Sequence, residues 1–208
     1  MNRKRVGIVV FADIEILDFC GPFEVFSVTR LDELRRHEEL SPFEVVLVSQ
    51  HNQPVTTAGG MKVVPDFTFD DCPALEILVI PGGRGTRKEM HNDAMLSFVR
   101  SRAPDVEMLA SVCTGSLILG KAGLLDNLRA TTHWRSLRMM QKLFPKITVD
   151  TESHVVKAGN IITSAGISAG IDMALLVVAE YCGEDIARST ARHMEYPFPT
   201  TNERRIAL

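Results

Sequence analysis

Unbroken apolar runs alternate along the chain with longer segments whose apolar positions recur every three or four residues. Arg5 to Phe11 is the first run, and Phe43 to Ser49, Ile77 to Ile80 and Met108 to Val112 follow. Runs of this length without polar alternation predict strands covered on both faces, as in a parallel sheet. Gly21-Pro22 reads as the start of a helix, with proline at its first position. Phe23, Val25, Phe26, Val28 and Leu31 carry that helix to about Arg36. Met95, Phe98 and Val99 mark one face of a second helix, and Leu137, Met140 and Leu143 one face of a third that begins at Trp134. Ser168 to Tyr181 predicts a long apolar helix, and Glu184 to His193 a final one before a polar tail. Gly59-Gly60 sits between two strand-like runs, so Val55 to Pro65 reads as a hairpin. Arg129 to Thr132, Ile147 to Val149, Val155 to Lys157 and Ile161 to Thr163 read as short strands. Strands alternating with helices over the whole length predict one domain, residues 1–208. The expected architecture is a three-layer α/β/α sandwich of flavodoxin-like kind with a mostly parallel sheet.

One stretch stands apart. Glu107 to Lys121, EMLASVCTGSLILGK, starts as a buried strand and ends as a helix with Leu117, Ile118 and Leu119 packed inward. Small residues flank the change of direction, as a sharp strand-to-helix turn requires. Cys113 sits at the point of the turn, where a strained backbone pushes a side chain into the open. A helix N-terminus there is expected to lower the pKa of the thiol. The alternative reading is an inert cysteine closing a strand. Asp18 and Gly82-Gly83 also follow predicted strands, so they fall on the same carboxyl edge of the sheet as Cys113. The amides of Gly83 and Thr114 form a candidate oxyanion hole. Asp18 is placed on a loop. Glu15 and Glu24 share its neighbourhood, and Glu24 reads as a solvated helix residue. His133 follows a strand end in TTHW and is a candidate partner for the thiol, although a lone histidine is more often structural.

Composition narrows the classes. The chain has 208 residues, 45% of them hydrophobic, enough for a full core without disulfides or metal. A net charge of -3 leaves no electrostatic footprint for nucleic acid or an anionic membrane. The basic-then-apolar N-terminus is interrupted by Asp13 and Glu15, so it reads as a strand rather than a leader. Cys20, Cys72, Cys113 and Cys182 have no paired spacing, which suits reduced thiols in a cytoplasm. No histidine pair has helical i, i+4 spacing, so no metal or other cofactor is expected. Gly115 to Ala122 nearly matches a phosphate-binding loop, but Ala122 replaces the needed hydroxyl and the middle residues are helix core. Asp172, on the long apolar helix, is expected to cap or pair internally.

Taken together these motifs resemble the ThiJ/PfpI superfamily, which shares its core with class I glutamine amidotransferases. The resemblance runs through LDFCGPFEVF at Leu17 to Phe26, IPGG at Ile80 to Gly83 and SVCTGSLILGKAGLL at Ser111 to Leu125. It continues through RATTHW at Arg129 to Trp134 and NIITSAGISAGIDMAL at Asn160 to Leu175. Two groups are most similar, the isonitrile hydratases and the sensor domain of AraC-type regulators. The ending Glu195-Tyr196 with Pro199 resembles the hydratases. The resemblance implies Cys113 as nucleophile, Asp18 as its partner acid and Thr114 as the residue after the nucleophile. Peptidase members carry histidine at the position of Thr114, so peptidase activity is not expected. It further implies a small-molecule substrate and a homodimer, to which the first helix is expected to lend Phe19, Phe23 and Phe26. Two functions follow: hydration of an isonitrile to a formamide, or a non-catalytic small-molecule or redox-sensing module.

Overall fold

The computed structural model describes residues 3–206. The strands are β1 (Lys4–Val9), β2 (Phe43–Ser49), β3 (Val55–Thr56), β4 (Lys62–Val63), β5 (Phe67–Thr68), β6 (Ile77–Ile80), β7 (Met108–Val112), β8 (Arg129–Ala130), β9 (Thr148–Val149), β10 (Val155–Ala158) and β11 (Ile161–Ser164). The helices are α1 (Ile16–Val28), α2 (Thr86–Glu89), α3 (Asp93–Arg102), α4 (Gly115–Lys121), α5 (Leu137–Leu143), α6 (Ala169–Cys182) and α7 (Glu184–His193). The main sheet has the order β10-β11-β7-β6-β1-β2-β5. Every pairing in it is parallel except β10 with β11. Strands β6 and β7 are buried at every position, as a sheet covered on both faces demands. The predicted hairpin is the antiparallel pair β3–β4, outside the main sheet. Helices α1, α6 and α7 pack on one another, while α2, α3 and α4 form a second group against the sheet. The result is the three-layer sandwich expected from the alternation of elements.

From β1 the chain steps out to β2 and β5, then returns to the other side of β1 to lay down β6 and β7. The order therefore reverses between β1 and β6. In an open α/β sheet, loops at such a point diverge and leave a crevice at the carboxyl ends of the strands. The segments after β1, β6 and β7 meet there, and they carry Asp18, Gly82-Gly83 and Cys113.

Helix α1 departs from expectation. It begins at Ile16, so Asp18 lies in its first turn rather than on a loop, and Pro22 is inside it. It stops at Val28, and Glu33–Arg35 forms only a separate turn of 3-10 helix. An internal proline forfeits one helix hydrogen bond. Here the apolar register of Ile16, Phe19, Phe23 and Phe26 continues through it, and burial of that face against β2 and α6 offsets the loss. Gly21 lets the helices close: a Cβ there would stand 2.9 Å from Ile171 Cγ1. Phe19 and Phe26 are 3% and 0% exposed, so they belong to the core and supply no exposed face for a second subunit. Phe23 is half-buried against the same core.

The tail is built into the fold. Asn202 O accepts from His154 N at 2.7 Å, and Glu152 O accepts from Arg204 N at 2.7 Å. Asp172, fully buried on α6, collects His154 Nε2 at 2.9 Å, Tyr196 Oη at 3.2 Å and Arg205 Nη2 at 2.7 Å. The internal pairing expected for Asp172 is thus a clamp on the C-terminal segment.

Candidate active site

Cys113 occupies the turn between β7 and α4 with φ +57°, a left-handed conformation that costs a non-glycine residue roughly 1–2 kcal/mol. Hydrogen bonds at both of its backbone groups hold that strain. Its N–H is shared between Ser164 O at 3.2 Å, at the end of β11, and Ala165 O at 3.1 Å, just past it. Its carbonyl accepts from Thr132 Oγ1 at 2.9 Å and Ser116 Oγ at 3.1 Å. Gly115 makes the sharp entry into α4 possible, because a Cβ would lie 2.0 Å from Ile80 O.

The thiol is not in the open. Cys113 is 6% exposed, and its pKa is pushed up, not down. Burial is the largest cause and the neighbouring Asp18 charge the second; the Thr114 amide at the helix N-terminus pulls the other way and is outweighed. Removing a thiolate from water beside a carboxylate costs more than one short helix returns.

Asp18 faces the thiol from α1 and is fully buried. Desolvation raises its pKa to about 7, against hydrogen bonds that favour the ionised form. Oδ2 accepts from Gly82 N at 3.0 Å, and the Ile167 amide also faces the carboxyl. Oδ1 has no partner among the described residues. Oδ2 accepts an N–H, which leaves Oδ1 available for an acid proton. Gly82 is obligatory here, since a Cβ would meet Thr114 N at 2.5 Å and Asp18 Oδ2 at 2.9 Å.

The candidate oxyanion hole is partly occupied by the protein itself. Gly83 N donates to Thr114 Oγ1 at 3.0 Å, and Thr114 Oγ1 stands 3.0 Å from Thr86 Oγ1. The Thr114 amide remains directed at the sulfur. Glu15 is half-buried and adds a charge that raises the Asp18 pKa further, while Glu24 is exposed on the far side of α1. His133 is not hydrogen-bonded to Cys113; its Nδ1 accepts from Arg135 N at 3.3 Å. Burial and the charges of Arg135 and Arg204 lower its pKa, which keeps the ring neutral. A cavity of about 190 Å³ opens beside the elbow, walled by His133, Trp134, Ile167 and the tail. Two larger grooves of about 610 Å³ each share Gln50 and His51 and are lined by none of Cys113, Asp18 or Thr114.

Several contributors escaped the sequence reading. Thr132, Ser164 and Ala165 hold the elbow through backbone and hydroxyl contacts that no side-chain motif announces. Ile167 has φ +61°, which is rare for a β-branched residue, and that conformation brings its amide to Asp18. Gly166, inside the stretch Asn160 to Leu175, is another such position. A Cβ there would stand 2.0 Å from His133 Cδ2.

Comparison with known proteins accords with this geometry. The profile of the DJ-1/PfpI family matches residues 4–180. An isonitrile hydratase from Pseudomonas putida is 37% identical over 193 residues, covering 92% of this chain and 78% of that protein. The HTH-type transcriptional regulator GbdR of Pseudomonas aeruginosa is 28% identical across 94% of this chain, which spans 51% of the regulator. A ThiJ/PfpI family protein from Pseudomonas syringae superposes with a TM-score of 0.83 at 34% identity, over 97% of this chain and 79% of that one. Drosophila melanogaster DJ-1beta superposes with a TM-score of 0.77 over 94% of this chain and 100% of its own, at 20% identity, a likeness of fold alone.

Proposed function

Since the chain belongs to the DJ-1/PfpI family, and Cys113 shares its buried turn with a carboxyl group whose pKa lies near neutrality, we propose that it hydrates an isonitrile to an N-substituted formamide. The observation that carries this reading is the Cys113–Asp18 pair: a thiol and a carboxyl group that face each other, both buried. The likeness to an isonitrile hydratase supplies the substrate class.

The chemistry then runs as follows. The terminal carbon of R–N≡C accepts Sγ of Cys113. Asp18 takes the thiol proton and delivers it to that same carbon, giving the thioimidate R–N=CH–S–Cys. Water adds to the carbon, with one proton passing to nitrogen. Collapse expels the thiol, whose proton returns by way of Asp18, and releases R–NH–CHO. The Thr114 amide steadies charge on sulfur as the C–S bond forms and breaks. Gly82 holds the acid in register through Oδ2 and leaves Oδ1 for the transfer. No step calls for a cofactor. The assay is formamide production from a panel of small isonitriles. Turnover by the wild type that disappears in Cys113→Ala is expected. The likeness to GbdR favours a second reading, a sensing module. Ligand binding or oxidation at Cys113 with no turnover of any isonitrile is the result that replaces the first reading with the second.

A homodimer belongs to the proposal, on family resemblance and not on the phenylalanines of α1. Light scattering at twice the chain mass is the expected result. Among the described residues no helix is long and apolar enough to cross a membrane.

A further inference from the structure

The cavity beside the elbow has a chemistry of its own. Trp134, Ile167 and Ile206 give it an apolar wall, and they are 41%, 38% and 47% exposed, well above ordinary core residues. The tail adds Arg204 and Arg205. Among the described residues no acidic side chain is on that wall. Arg205 is neutralised by Asp172, which it meets at 2.7 Å. Arg204 is different. Its Nε donates to Thr151 O at 3.0 Å, and its Nη2 donates to Thr131 Oγ1 at 2.7 Å and Thr132 O at 3.2 Å. All three acceptors are neutral, and among the described residues Nη1 has no hydrogen bond. The acid whose charge acts on Arg204, Asp150, is ion-paired with Arg129 and accepts from the amides of Glu152 and Ser153. Arg204 is thus a half-buried cation fixed in orientation by uncharged partners, with one nitrogen, Nη1, open. His154, also on the wall, is 7% exposed, and its Nδ1 has no partner. Buried polar atoms without partners are uncommon, and a ligand is one way of completing them.

The cavity is coupled to the reaction site by backbone. Ala165 O accepts the Cys113 amide, the Ile167 amide faces Asp18, and both residues line the cavity. Cys113 does not itself line the cavity, so an organic group lodged there is joined to the elbow through Ala165 and Ile167.

We infer that this cavity holds the organic group of the substrate and selects one bearing a carboxylate, which Arg204 receives. This rests on the proposed isonitrile chemistry for the reacting end of the molecule. A carboxylate fits better than a phosphate because one free guanidinium nitrogen suits a monoanion, and Trp134, Ile167 and Ile206 make much of the wall apolar. The substrate class is therefore an isocyano carboxylate, and its α-isomers give N-formyl amino acids.

Trp134 is the sole tryptophan, so its fluorescence reports on the cavity whether or not turnover occurs. The experiment has two arms on the intact protein. The first compares kcat/KM for 2-isocyano-3-methylbutanoate and its methyl ester. The second titrates Trp134 with N-formylvaline and with N-formylvalinamide. The expected result is a preference for the carboxylate of about tenfold to a hundredfold in each arm, the range of a charge-assisted hydrogen bond. Both preferences should shrink in Arg204→Met. Comparison of the two ligands on the wild type needs no mutant, so a misfolded variant does not blunt the test. Equal kcat/KM for acid and ester, with equal or absent titration of Trp134, overturns the inference and leaves the hydratase reading intact. Preferential binding of N-formylvaline with no turnover of either isonitrile upholds the carboxylate site and overturns the hydratase reading.

Discussion

Asp18→Asn should make the protein inactive and, above neutral pH, relatively more stable. Asp18 is fully buried, and its folded-state pKa of about 7 lies above the ordinary 3.8. A carboxyl whose folded pKa is raised binds its proton more tightly in the native state than in the unfolded one. Stability therefore falls as pH rises from the unfolded pKa, and the loss is complete once pH passes the folded pKa. At 1.36 kcal/mol per pH unit, the span from 3.8 to about 7 amounts to about 4 kcal/mol, of which about 3 kcal/mol falls above pH 5. Asparagine keeps the acceptor for Gly82 N and cannot ionise, so its variant lacks this slope. It does place an amide where Oδ1 had no partner, a pH-independent cost of about 1–3 kcal/mol. Urea unfolding of both proteins from about pH 5 to about pH 8.5 isolates the slope from that offset. The stability of the wild type relative to the variant should decline through the acid half of this range and level off above about pH 7. A relative stability independent of pH would falsify the assignment of Asp18 as a buried acid with a raised pKa. Turnover should drop by at least about a hundredfold, the low end of general acid–base effects.

Two further outcomes follow from the same geometry. Modification of Cys113 by iodoacetamide, followed by peptide mass mapping, should accelerate as pH rises through about 7, because ionised Asp18 can take the thiol proton; the half-buried Cys20 and Cys182 should not share that inflection, and a rate for Cys113 that is flat through neutrality counts against the pair. Cys113→Gly should be more stable than Cys113→Ala by about 1 kcal/mol, since φ +57° suits glycine and strains alanine; thermal melts that rank the two the other way refute the strain argument.

Patterning alone determined the architecture. The unbroken runs at β6 and β7 are too short for helices and too apolar for a half-exposed sheet, so they read as buried parallel strands. The small residues around Cys113 announced the elbow for a steric reason: the backbone of Gly115 passes Ile80 O where no Cβ fits. Those two signals were enough to bring Asp18, Gly82-Gly83 and Cys113 to one edge. Helix boundaries were less legible. Pro22 looked like a start signal because its local cost is visible in sequence, whereas the burial that outweighs it comes from α6, some 150 residues away.

The protonation states belong to the tertiary structure. A thiol at a helix N-terminus suggests a lowered pKa, and the dipole does act in that direction. How deeply the turn is buried, and that α1 turns a carboxyl toward it, depends on packing between elements distant in sequence. Desolvation and a second buried acid then reverse the sign. The same holds for the tail: read as sequence it is a polar end, yet backbone pairing with residues 152–155 and the clamp on Asp172 make it one wall of the cavity beside Cys113. Local sequence determines what a residue can do; which charges it must share a dry space with is decided only when the chain closes around it.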